Sequence, residues 1–139
     1  MLVHCVHQRL VMRSPEAVFA ELEAMGTPRD RIWPKPSMPF TRTPGPMVVG
    51  KTHERHGIIA ATLSAFEPLK QITWQAKLPF LRGTHAFELS AEGPSATRVA
   101  HVLDADVALW FMPLWKLKIA RIHDLLIESL LDRLAATLA

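Results

Sequence analysis

The chain has 139 residues, 49% of them hydrophobic and 21% charged, and a formal charge of +3. That balance supplies a sizeable core for one globular domain, expected to span residues 1–139, and excludes a disordered or low-complexity polymer. The basic residues are scattered, with one tight group at Lys116, Lys118 and Arg121, and no stripe of stacking aromatics runs among them, so no nucleic-acid partner is expected.

The single cysteine, Cys5, rules out an internal disulfide. The opening MLVHCVHQRLVMR lacks the basic start and long apolar run of a secretion signal. The most apolar window, Val107 to Trp115, is far shorter than the ~20 residues that span a bilayer. A cytoplasmic protein without stable membrane insertion is the expectation.

Val3 to Met12 reads as a first strand, with hydrophobic residues on both parities and no clear inner face. A helix follows: Ser14 is placed to cap it, Pro15 to begin it and Gly26 to end it, with Phe19 and Leu22 on a buried stripe. Thr27, Pro28 and Asp30 then carry the signature of a second short helix over TPRDRIW. Pro34 to Pro46 is proline-dense and irregular, with room for a short edge strand at Phe40 to Thr43.

From Val48 the chain becomes a run of strands. Val49 to His56 is one. Ile59, Ala61, Leu63 and Ala65 share a face of the next, and Pro68 ends it. Ile72, Trp74, Ala76 and Leu78 form the inner face of a third. Gly83 to Val107 is a hairpin whose odd positions, His85, Phe87, Leu89, Val99, His101 and Leu103, form an apolar face interrupted by two imidazoles. Such alternation predicts an antiparallel meander with one wet face. A long helix closes the chain, about Pro113 to Leu138. Trp115, Ile119, Ile122, Leu126 and Leu130 fall on one arc, and Lys118, Arg121, Asp124, Glu128 and Asp132 on the other.

A sheet with one apolar face and a single long amphipathic helix have one packing solution: the sheet wraps around the helix. The order of elements, with VMRSPEAVF, PMVVGKTHERHG, LSAFEPLKQITWQ and GTHAFELSAEGPSATRVAH in sequence, resembles the START-like superfamily (SRPBCC), which includes the polyketide cyclase/dehydrase and lipid-transport group. The resemblance covers nearly the whole chain. It implies an α+β helix-grip fold: a curved antiparallel β-sheet wrapped around a long C-terminal α-helix, with two short helices after the first strand. It also implies a cavity between sheet and helix.

On that reading His85, Phe87, His101 and Leu103 face the cavity from the hairpin, and Trp74 from the neighbouring strand. Trp115, Ile119, Ile122 and His123 face it from the helix. Leu126 is expected to pack tightly, with Trp115 and Ile119 beside the hollow. The imidazoles are then the few polar handles of an apolar pocket for a hydrophobic small-molecule ligand.

No metal and no cofactor are expected. The HxxH spacings at His4/His7 and His53/His56 put the two rings on opposite faces of a strand, and Cys5 is remote in sequence from the other histidines. No catalytic residue is assigned. The chain has no tyrosine, Glu88 and Asp104 fall on the outer face, and the pattern does not fix the direction of Glu54. The first expectation is therefore binding or transport of a lipid, isoprenoid or polyketide-like molecule. The alternatives are a cyclase/dehydrase-like enzyme with His85 or His101 as general base, and a regulatory module with a protein partner.

Overall fold

The computed structural model describes residues 1–137. Seven antiparallel strands form one sheet in the order β1-β7-β6-β5-β4-β3-β2: β1 (Leu2–Val11), β2 (Thr41–Arg42), β3 (His53–His56), β4 (Ile59–Glu67), β5 (Gln71–Lys77), β6 (Leu81–Ala91) and β7 (Thr97–Val107). From β2 to β7 each strand pairs with the next in sequence. The chain start, β1, closes the far edge against β7, with Leu2 opposite Asp106 and Val11 opposite Thr97. The long hairpin β6–β7 sets His85 opposite Leu103 and Phe87 opposite His101, which puts all four on the concave side. Gly83 permits that pairing: a Cβ there would stand 2.1 Å from the Asp104 carbonyl oxygen.

Helix α1 (Pro15–Ala24) is punctuated as the sequence predicts. The Ser14 hydroxyl accepts from the Ala17 amide at 3.2 Å, Pro15 sits in the first turn, and Val18, Phe19 and Leu22 are buried. The second short helix expected over Thr27–Trp33 does not form; the segment is a set of turns. Asp30 is the reason. One carboxylate oxygen accepts from the Gly26 amide, and the other from the amides of Ile32 and Trp33. The side chain thereby takes up amides on both sides and bends the chain back on itself.

The strand expected from Val49 begins only at His53, because Val48–Thr52 closes a turn. The Thr52 amide reaches the Val48 carbonyl at 2.9 Å, and the Thr52 hydroxyl accepts from the Val48 amide at 2.8 Å. In β4 a bulge lies between Leu63 and Ala65. It puts Ala65 opposite Thr73 and moves the inward position to Phe66, whose ring meets Phe19 at 5.6 Å.

After β7 come a 3₁₀ turn (Leu109–Phe111), one helical turn, α2 (Met112–Leu114), a π-helical stretch (Trp115–Ile119) and the long helix α3 (Ala120–Thr137). Leu138, the expected helix end, lies outside the described residues. The π turn corrects the helical wheel. It inserts a residue relative to 3.6-residue spacing, so the tightly buried positions become Ile127, Leu130, Leu131 and Leu134, while Leu126 is only half-buried. Ile127, Leu130, Leu131 and Leu134, with Val18, Phe19, Leu22, Ile72, Trp74 and Val99, belong to one continuous hydrophobic core. Among the described residues no helix is long and apolar enough to cross a membrane.

Candidate ligand cavity and its histidines

Between the concave sheet and the last helix lies a part-open cavity of about 270 Å³. The hairpin contributes His85, Phe87, His101 and Leu103. The helical segment contributes Trp115, Ile119, Ile122, His123 and Leu126, and the side wall is built by Met38, Phe40, His56 and Ile58. Of the nine residues expected to face a ligand, eight line this space. Trp74 does not: at 2% exposure it lies within the core, behind Phe40, whose ring centroid is 6.2 Å away. Leu126, expected in tight packing, is on the wall instead, as the π turn dictates. A wider depression of about 750 Å³ lies over β2–β5, open to solvent, with His53, Arg55, Gln75 and Lys77 among its walls. The buried imidazoles do not line it.

The cavity's polar content is a chain of histidine rings. Successive centroids are 5.6 Å apart from His56 to His85, 5.9 Å from His85 to His101, and 5.5 Å from His101 to His123. One end is held by Glu54, whose side chain is fully buried. Its Oε2 accepts from His56 Nδ1 at 2.7 Å and its Oε1 from His85 Nε2 at 3.0 Å. Burial raises the Glu54 pKa, but the two imidazole hydrogen bonds overcome this and hold it below the ordinary carboxyl value, so the group is an anion. As an anion it can only accept. Nε2 of His85 therefore carries the proton, and its Nδ1 can keep a lone pair.

The middle of the chain is different. His101 is 3% exposed, and among the described residues its Nδ1 has no partner and the buried His123 Nε2 has none either. Desolvation, with the other histidines as like charges, holds the His101 pKa well below its ordinary value. The same burial lowers His123 to about 4, although Asp124 pulls the other way. Both rings are neutral at physiological pH. Each has a buried polar atom without a hydrogen-bond partner among the described residues, a cost of roughly 1–3 kcal/mol per group until one is supplied.

Sequence reasoning missed Glu54 and His56. Both have the parity of Thr52, which is also buried, so β3 turns its polar residues inward. Hydrophobic alternation cannot detect such a strand; the signal available was the i, i+2 pairing of a carboxylate with an imidazole in HERH.

A sheet gripping a terminal helix over a lined cavity defines a helix-grip protein. Solved structures share this fold over almost the full length of the chain. A protein of Nitrosospira multiformis superposes with a TM-score of 0.72 at 15% identity, covering 99% of this chain and 97% of that one. A norcoclaurine synthase point mutant from Thalictrum, in complex with a transition-state analogue, superposes with a TM-score of 0.73 at 10% identity, covering 99% and 94%. The di-domain ARO/CYC StfQ of the steffimycin biosynthetic pathway gives a TM-score of 0.65 at 15% identity; this chain is covered to 99% and spans 51% of StfQ. No family model and no curated protein matches the sequence. Identities at this level show the fold alone.

Proposed function

We propose that the chain binds a compact, mostly apolar small molecule carrying one polar group, such as an aromatic polyketide-like or short isoprenoid compound. The observation that carries this reading is the pair of buried nitrogens, His101 Nδ1 and His123 Nε2, that find no partner among the described residues and belong to two rings lining an otherwise apolar cavity. A ligand hydroxyl or carbonyl supplies the missing hydrogen bond. Volume selects among the ligand classes: about 270 Å³ is at the small end of ligand pockets, which run ~300–1,000 Å³, and favours a ring compound over a long acyl chain. Tryptophan fluorescence and calorimetric titration with aromatic polyketides, isoprenoids and fatty acids test it, because Trp115 and Trp33 line the cavity. Saturable binding of ring compounds, weakened by His101→Leu, is expected. Saturation by fatty acids alone, or by nothing in the set, refutes it.

Acid–base chemistry on that ligand is the second reading, favoured by the buried Glu54–His85 pair. A carboxylate that fixes an imidazole's tautomer leaves the opposite nitrogen ready to take a proton from a ligand carbon or hydroxyl. The norcoclaurine synthase and ARO/CYC neighbours make a small-molecule reaction in such a cavity a natural candidate. Deuterium exchange into a bound ketone, abolished by His85→Gln, is the expected sign; unchanged exchange in that variant removes the assignment.

A further inference from the structure

We propose that Cys5, His7, His123 and Asp124 form a tetrahedral site for a divalent transition metal of the zinc class, where β1 lies against α3. Cys5 and His7 are two apart on β1, so their side chains leave the same face of the strand. His123 and Asp124 are consecutive in the first two turns of α3. One donor atom from each of the four lies within 4.8 Å of every other.

Four of the six edges are close to those of a coordination tetrahedron. Cys5 Sγ is 3.8 Å from His7 Nε2 and 3.5 Å from Asp124 Oδ1. His7 Nε2 is 3.0 Å from Asp124 Oδ1, and His123 Nδ1 is 3.5 Å from the same oxygen. Donors ~2.0–2.3 Å from a tetrahedral zinc ion stand about 3.3–3.6 Å from one another. The charges also match. A thiolate and a carboxylate neutralise a divalent ion, with two neutral imidazoles completing the set. Thiolate with imidazole selects zinc over magnesium or calcium.

The surroundings are those of a metal-binding imidazole. His7 faces a carboxylate at each ring nitrogen, Asp124 at Nε2 and Glu128 at Nδ1. Without a metal it satisfies both only by carrying two ring protons. A metal on Nε2 replaces one of them, and Nδ1–H then donates to Glu128 Oε1 at 2.8 Å, the carboxylate–histidine–metal relay that orients ligating imidazoles. Arg9 holds Glu128 in turn at 3.0 Å and reaches Asp132 at 2.5 Å.

A separate observation points the same way from inside the fold. His123 Nε2 is buried without a partner, and so is Nδ1 of His101, the next ring at 5.5 Å. Metal on His123 Nδ1 fixes the proton on Nε2 and makes that buried nitrogen a donor. An ion bound between β1 and α3 thus pins the edge strand to the helix and sets the hydrogen-bonding sense of one cavity group.

The test uses the full chain, stripped with a chelator and titrated with Co²⁺, then Zn²⁺, without any cavity ligand. The expected result is one Co²⁺ per chain, an intense thiolate-to-cobalt charge-transfer band with the ligand-field absorption of four-coordinate cobalt, and displacement by Zn²⁺. Cys5→Ser removes the charge-transfer band, and His7→Gln weakens binding at least tenfold. Glu128→Gln, which touches no metal, weakens it about 10–100-fold. His53→Gln, on the far side of the sheet, leaves it unchanged. Absence of the charge-transfer band in the unaltered protein, or a six-coordinate spectrum, overturns the proposal. So does unchanged affinity in Cys5→Ser and His7→Gln chains that keep the native circular dichroism. Should either variant fail to fold, Asp124→Asn, half-exposed on the helix, replaces it, and the parent spectrum decides on its own.

Discussion

Glu54→Gln puts the buried histidine cluster to its most direct test. The carboxylate is fully buried and is the shared acceptor of His56 and His85. Hydrogen bonds to a charged group contribute about 1.5–3 kcal/mol each, and desolvation of the anion opposes them. The depressed pKa of Glu54 shows that pairing wins that contest. Glutamine has nearly the same volume, so no cavity opens. It keeps one acceptor oxygen, now neutral, and turns an NH₂ group toward the other ring, which has to offer a lone pair instead of a proton. The expected loss is about 2–3 kcal/mol, read as a lower urea midpoint with an unchanged slope. The deficit depends on pH with a defined sign. Because folding lowers the Glu54 pKa, its contribution is present above the unfolded value near 4.5 and is lost as pH falls through the folded value. The gap between parent and variant therefore closes in acid. A variant as stable as the parent at neutral pH, or a gap that widens on acidification, refutes the paired carboxylate.

Acid stability of the metal-free chain follows from the neutral rings. The unfolded chain protonates its histidines below about pH 6.5, whereas native His123 resists until about 4, so stability falls as pH drops through that window, by about 3 kcal/mol from His123 alone. His101 acts in the same direction; His7, raised by Glu128 and Asp124 against its burial, acts in the opposite one, its contribution present in acid and lost as pH rises through its folded value. Urea midpoints measured in chelator from pH 7 to pH 4 check this, and a flat profile contradicts it. The π turn predicts a ranking on the helix: Leu131→Ala, at 0% exposure in the core, costs roughly 2–5 kcal/mol, and Leu126→Ala, on the cavity wall, costs about 1 kcal/mol or less. Thermal or urea unfolding that reverses this order rejects the corrected helix phase.

The sheet was legible because hydrophobic alternation and helix caps are local signals. Every strand from β4 onward, and the Ser14–Pro15 helix start, follows from them. Departures arose where a side chain or an inserted residue overrode the local code. Asp30 captured amides that TPRDRIW would have used in a helix, and Thr52 closed a turn where a strand was expected. The bulge at Leu63/Ala65 shifted strand phase by one residue, as the π stretch did for the helix. Periodicity carries no mark of such insertions. The site was legible through its apolar frame and the odd parity of His85 and His101. It was not legible through Glu54 and His56, which are polar residues facing inward, nor through His7, whose partners on α3 lie more than 110 positions away.

The arrangement of charge along the histidine chain bears on what the cavity accepts. Glu54 stands beside His56 and His85 at one end of the chain, and Asp124 with Glu128 beside His7 at the other, where Asp124 also lies 3.5 Å from His123 Nδ1. Glu54 accepts an N–H from each of its two imidazoles, and on the α3 side burial lowers the His7 pKa but Glu128 and Asp124 outweigh it. His101 lies between in low dielectric, where a proton would meet the cost of burial and like charge from the neighbouring histidines; at His123 burial outweighs the pull of Asp124. A ligand carboxylate docked there would have to bring its own compensating proton, because neither middle ring carries one near neutral pH. A phenol, alcohol or ketone needs no such proton and can pair with a neutral ring as it stands. On the proposed function, charge as well as volume selects the ligand: the same burial that depresses the two pKa values suits the polar wall to uncharged hydrogen-bonding groups.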